Sequence, residues 1–236
     1  DGSLLNIPAA GVDFSGTSIS GAFALDVVED NGSYYLLSVG IESNNVTRYA
    51  FGSDLTLPPI TTDFGNLGGL SEPLGIGHWE ESGNHYALVT TNGGAVYLLS
   101  FGSSLGNTPS ASQVSGLSLG NHRHIKILSE EGTVIGLIAG GSTNSLSVLN
   151  FGSSITNPPS LTTSPVSSSS FLTGLDYFKD CTGAYVVTSG LNSGLHVLSF
   201  GSSFLNTPTS VQVSTSVTSA YGLTIRKKSG LFHVLA

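Results

Sequence analysis

The 236 residues carry 15 acidic and 7 basic side chains, a formal net charge of −8, which repels phosphate backbones and argues against a nucleic-acid partner. With 39% apolar and 9% charged residues, the chain is too apolar to be disordered and far below the roughly 25% charge of an ordinary domain. Cys181 is the one cysteine, which excludes an intrachain disulfide or a multi-cysteine metal site, and no apolar run approaches a membrane span.

In chain order, Asp1–Pro8 matches Phe51–Pro58 and Asp13-Phe14 falls on Asp63-Phe64, so the chain opens inside a repeat, at a Gly-Ser turn. It contains no Met and begins at Asp1, which leads to the expectation of a piece of a longer polypeptide. Leu25–Glu29 reads as the first strand of a unit, and Asp30-Asn31-Gly32 as the turn that reverses it. The almost wholly apolar Tyr34–Leu37 follows as the second strand, and Val46–Phe51 as the third. The first strand recurs at Ile76–Glu80, Ile125–Ser129, Leu175–Lys179 and Leu223–Lys227. The second recurs at Tyr86–Val89, Val134–Ile138, Tyr185–Val187 and Phe232–Leu235, and the third at Val96–Phe101, Leu146–Phe151 and Leu195–Phe200. A short, Ser- and Thr-rich outer strand closes each unit, as at Gln113–Ser115 and Val211–Ser214.

Each third strand ends in Phe-Gly-Ser, beginning at Phe51, Phe101, Phe151 and Phe200, a period of about 50 residues. Four strands in such a unit match a propeller blade. The second strand, apolar on both sides, needs cover on both faces, and stacked blades supply it. The reading is therefore an all-β chain: one β-propeller domain of five four-stranded blades, with six as the alternative. Its repeats are 22–69, 73–120, 122–168 and 171–218, and the ring is closed by a blade built from 220–236 plus 1–20. The four Phe side chains are expected to be buried between blades, with the glycine after each permitting a positive φ or a bulge.

The segments Phe101–Pro109, Asp63–Gly68 and Lys179–Val186 resemble repeat regions of large secreted Bacteroidetes proteins, many exported by the type IX pathway and associated with the cell surface, gliding or adhesion. That resemblance implies an extracellular or cell-surface module and carries no activity with it.

Three groups of residues invite a functional reading. The loops after the second strands carry Asn44, Asn92, Asn144 and Asn192; Asn suits left-handed turns, and a ring of amides could also hydrogen-bond a glycan or a protein surface. The first strands carry Asp26, Gly77, Lys126, Asp176 and Thr224 at equivalent positions. Asp26, Lys126 and Asp176 would meet at the channel mouth, either as a network keeping the channel polar or, with the two Asp as acid and base, as a glycosidase-like site. The turn carboxylates Glu29-Asp30, Glu80-Glu81 and Glu130-Glu131 read as solvation of exposed hairpins. His122-Arg123-His124 lacks a third ligand in sequence, so no metal is implied, and no phosphate-cradling loop or dinucleotide fingerprint implies a cofactor. Because near-identical blades multiply weak contacts, the expectation is a non-catalytic binding or adhesion module of a larger surface protein, recognising glycan or protein. The glycosidase-like enzyme and a structural spacer stand as alternatives.

Overall fold

The structure is a computed structural model that describes residues 20–235 apart from 118, 142, 167–170, 192, 216, 218–219 and 229–230. The first antiparallel meander consists of β1 (Ala22–Asp30), β2 (Ser33–Gly40), β3 (Asn45–Gly52) and β4 (Ile60–Asp63), paired in that order. The second is β5 (Pro73–Glu81), β6 (Asn84–Thr91), β7 (Val96–Gly102) and β8 (Ser110–Gln113). The third is β9 (His122–Glu130), β10 (Thr133–Gly140), β11 (Ser145–Gly152) and β12 (Ser160–Pro165). The fourth is β13 (Leu172–Asp180), β14 (Gly183–Gly190), β15 (Gly194–Gly201) and β16 (Thr209–Ser214), and β17 (Thr224–Lys228) with β18 (Leu231–Leu235) forms a separate two-stranded sheet. The strands β1, β5, β9, β13 and β17 follow one another side by side. The four four-stranded sheets are therefore the blades of a propeller, with their first strands innermost.

The expectation of five four-stranded blades is corrected here: four are complete among the described residues, and the fifth unit contributes two strands. The segment 1–19, expected to supply its outer strand, lies outside the described residues.

The core lies between the blades, and the two-residue period of the second strands builds it. In β10, Ile135, Leu137 and Ala139 face the fourth blade, while Val134 and Ile138 face the second. In β6, Ala87 and Val89 face the first blade and Leu88 the third. Phe101, Phe151 and Phe200 are each 2% exposed within these layers. Each following glycine has a positive φ, 71° at Gly102, 67° at Gly152 and 69° at Gly201. Each also sits at a register shift, as where Gly102 pairs with His85. Positive φ and bulge thus occur together at the strand end. Phe51 departs from the expectation and is only half-buried, since among the described residues the filled layer of the first blade lies on the side facing the second. Its other side leaves Leu25 64% and Val27 49% exposed.

The turn carboxylates correct the sequence reading more sharply, because three of them clasp the next blade. Asp30 Oδ2 accepts the Leu105 N–H at 3.0 Å and the Ser104 hydroxyl at 3.0 Å. Glu81 Oε2 accepts the Ile155 N–H at 3.0 Å. Glu130 Oε2 accepts the Phe204 N–H at 3.1 Å and the Ser203 hydroxyl, while its Oε1 pairs with Lys179. Asp30 and Glu130 are buried. Burial acts against each charge, but the donors outweigh it and hold both carboxyls below their usual range.

Candidate functional site

The propeller places Asp26 on β1, Lys126 on β9 and Asp176 on β13, and all three line one channel cavity of about 360 Å³ with Gly77, His78 and Arg226. The inner strands of neighbouring blades lie in separate sheets, and the two aspartates bridge them. Asp26 Oδ2 accepts the backbone N–H of His78 on the second blade at 2.8 Å. Asp176 Oδ2 accepts the N–H of Ile225 on β17 at 2.8 Å and the Thr224 hydroxyl at 3.3 Å, and its Oδ1 accepts the Tyr177 N–H at 3.0 Å. Gly77 adds no side chain to the wall, and a Cβ there would lie 3.3 Å from the Ile125 carbonyl oxygen. The channel position that the sequence singled out therefore combines two duties, stitching strands together and facing the cavity.

The carboxylates differ in environment. Burial raises the Asp26 carboxyl above its ordinary value, against the opposing pull of the His78 N–H and the Lys126 charge. Asp176 is instead supplied with three donors. Two carboxyl groups facing one cavity are the minimal set for acid and base work on a glycosidic bond.

His78 extends the site beyond what the repeat reveals. Its Nε2 lies 3.0 Å from His85 Nδ1, the rings stack at 5.3 Å, and His85 Nε2 lies 3.3 Å from Asp30 Oδ1. A chain of three polar groups thus runs from the channel wall to the clasp between the first two blades. Burial, then the proximity of His85, lowers the His78 pKa to about 4 against the attraction of Asp30. Only the second unit has histidine at both positions, so no periodic signal marks the pair.

Three of the four loop asparagines make hydrogen bonds within the protein. Asn44 Oδ1 accepts the Glu72 N–H at 2.6 Å, and Asn144 Oδ1 accepts the Phe171 N–H at 2.7 Å. Both asparagines have positive φ, 53° and 49°, as do Glu72 and Phe171 at 48° and 54°. Each amide therefore ties the left-handed turn of one loop to that of the next. Asn92 donates to Glu72 Oε2 at 2.5 Å and accepts from Asn121. Asn192 lies outside the described residues.

No family model matches the sequence, and no curated protein matches it. The fold does match solved structures. A thermostable family-43 glycoside hydrolase aligns with a TM-score of 0.64 at 10% identity, over 92% of this chain and 93% of that one. An exo-1,5-α-L-arabinanase from a bovine ruminal metagenomic library aligns at 0.54 and 12% identity, over 95% and 89%. An exo-β-1,3-galactanase from Phanerochaete chrysosporium aligns at 0.58 and 14% identity over 85% of this chain, which spans 51% of the galactanase. These likenesses correct the expectation of a non-catalytic adhesion module. The propellers that this chain resembles are glycoside hydrolases.

Proposed function

We propose that the chain forms the propeller of a glycoside-hydrolase-like enzyme, with the channel as its active site and a glycan as its substrate. The observation that carries this reading is the presence of Asp26 and Asp176 in one cavity. Asp26, its carboxyl raised by burial, donates a proton to the glycosidic oxygen as the bond to the anomeric carbon breaks. From the other side of that carbon Asp176 accepts a proton from a water molecule, whose oxygen forms the new bond to the anomeric carbon. Lys126 and the neutral ring of His78 flank the pair and set its electrostatics.

The proposal includes a five-bladed ring, completed from both ends of the chain. The repeat register supports it through an exchange of charge. Copies one to three carry Asp30, Glu81 and Glu130 at the clasp, and copies two to four carry Ser104, Ser154 and Ser203 as their partners. Copy five has Lys228 at the clasp position, and copy one has Asp54 at the partner position. Swapping both charges at one junction fits copy five standing next to copy one. A polymeric glycan as substrate also suits the extracellular setting implied by the turn motifs.

The test is a panel of aryl glycosides and polysaccharides with wild type, Asp26→Asn and Asp176→Asn. Each amide keeps an oxygen to accept the interblade N–H, so melting temperatures should change little. Hydrolysis should fall by a factor of about 10² to 10⁴ in each variant. Turnover that survives both substitutions together, or no turnover on any glycoside, overturns the proposal.

A further inference from the structure

Arg123 lies at the start of β9, three residues before Lys126, where the carboxylates do not account for it. Its guanidinium carbon lies 5.3 Å from the centre of the Phe23 ring and 5.0 Å from that of Phe171. Phe23 in turn meets Tyr221 edge to face at 6.3 Å. Phe23, Arg123 and Tyr221 share one register position, three residues ahead of Asp26, Lys126 and Thr224. Three units therefore converge on one rim. Beside that rim opens a second cavity of about 330 Å³, reached by Phe23, His124 and Lys126. Lys126 lines both cavities, so rim and carboxylates belong to one channel.

Arg48 shows what a structural arginine looks like in this fold. It also lies over a ring, 5.2 Å from the centre of Phe64. Its N–H groups, however, are spent on the Leu105 carbonyl at 2.6 Å, the Asn107 carbonyl at 3.0 Å and the Thr62 hydroxyl at 3.2 Å. Arg123 has no hydrogen-bond or ion-pair partner among the described residues, and its Nε is buried without an acceptor. A buried N–H of a charged group left unmet is costly, and no acidic side chain among the described residues meets it. Aromatic rings attract a guanidinium without accepting its N–H groups in the plane, which leaves the fork of donors for a planar acceptor. Arg123, Lys126 and Arg226 place three of the chain's seven bases on or beside the channel that also holds Asp26 and Asp176.

We propose that Arg123 is a recognition site for the carboxylate of a uronic-acid residue, with Tyr221, 53% exposed, offering its ring to the sugar. The proposal rests on the glycoside reading of the channel and assigns the substrate class, an acidic glycan. Two in-plane hydrogen bonds from one guanidinium distinguish such a sugar from its neutral counterpart.

The experiment is a set of NMR-detected titrations of wild type, Arg123→Gln and Arg123→Lys with galacturonate, methyl galacturonate ester and galactose, repeated with the glucuronate series. Wild type should bind a free acid about tenfold or more tightly than its ester or neutral counterpart. Arg123→Gln should erase that preference while leaving the neutral sugar's affinity and the melting temperature in place, and Arg123→Lys should keep part of it. The ester comparison needs no substitution, so it decides the matter even if Arg123→Gln fails to fold. Equal binding of acid, ester and neutral sugar overturns this proposal and leaves the glycoside reading standing. An acid preference that survives Arg123→Gln, or inorganic sulfate displacing galacturonate at equal concentration, also overturns it. Binding of no sugar at all removes both.

Discussion

Asp30 reaches across the first blade junction to the backbone N–H of Leu105 at 3.0 Å, while its other oxygen lies 3.3 Å from His85 Nε2. One buried carboxylate thus holds two blades together and anchors the histidine pair that leads to the channel. Asp30→Ala should lower the urea midpoint by the equivalent of about 1–3 kcal/mol, the penalty for leaving a buried donor unmet. Asp30→Asn, which keeps an acceptor but not the charge, should cost less. Equilibrium unfolding of the two variants checks this ordering.

Phe101 and Phe51 occupy the same place in their units but not the same environment. Phe101→Ala should cost about 3–5 kcal/mol, because the filled layer around it cannot collapse fully. Phe51→Ala should cost clearly less, since that ring is half-buried. Equal shifts in the unfolding midpoint would contradict the assignment of the first blade's outer side.

Acid should weaken the fold before it touches the clasps. His78 and His124 have pKa values lowered from 6.5 to about 4, chiefly by burial. Between those limits the unfolded chain takes up protons that the folded chain refuses, so stability is complete above pH 6.5 and declines toward pH 4. The clasp carboxylates, with lowered values, stabilise above their unfolded pKa and lose that contribution only at lower pH. Urea midpoints measured from pH 8 to pH 4 should show the decline, and His78→Gln should flatten it.

Asn144→Ala should destabilise by about 1 kcal/mol, through loss of an acceptor and strain at positive φ. It should leave the affinity for neutral sugars, which do not call on Arg123, unchanged. Asn144→Gly, free of the strain, should cost less. Loss of sugar affinity with intact stability would restore the loop face as a binding site.

The strands were legible because their signals are local. Phe-Gly-Ser marks the strand end, and the glycine at 102, 152 or 201 must take a left-handed turn whatever else surrounds it. The equivalence of Asp26, Lys126 and Asp176 followed from the same register. What the sequence concealed depends on contacts across blades. Glu130 reads as a solvated hairpin residue because its partner, the Phe204 N–H, lies 74 residues ahead. The asparagines looked free for the same reason, since Asn144 meets Phe171 27 residues on. Phe51 looked like its three counterparts because a repeat cannot record how far the next unit in the ring covers it.

The clasps also set a timetable for folding. Each blade is a meander of adjacent strands, so its internal pairing involves short loops and forms quickly. Its clasp cannot close until the third strand and turn of the following blade exist, because donor and acceptor are 74 or 75 residues apart. A chain growing from its N-terminus therefore acquires each lock one unit late. At every moment of synthesis the newest blade is the loosest, and the order runs forward along the ring, like a zip whose every tooth waits for the next.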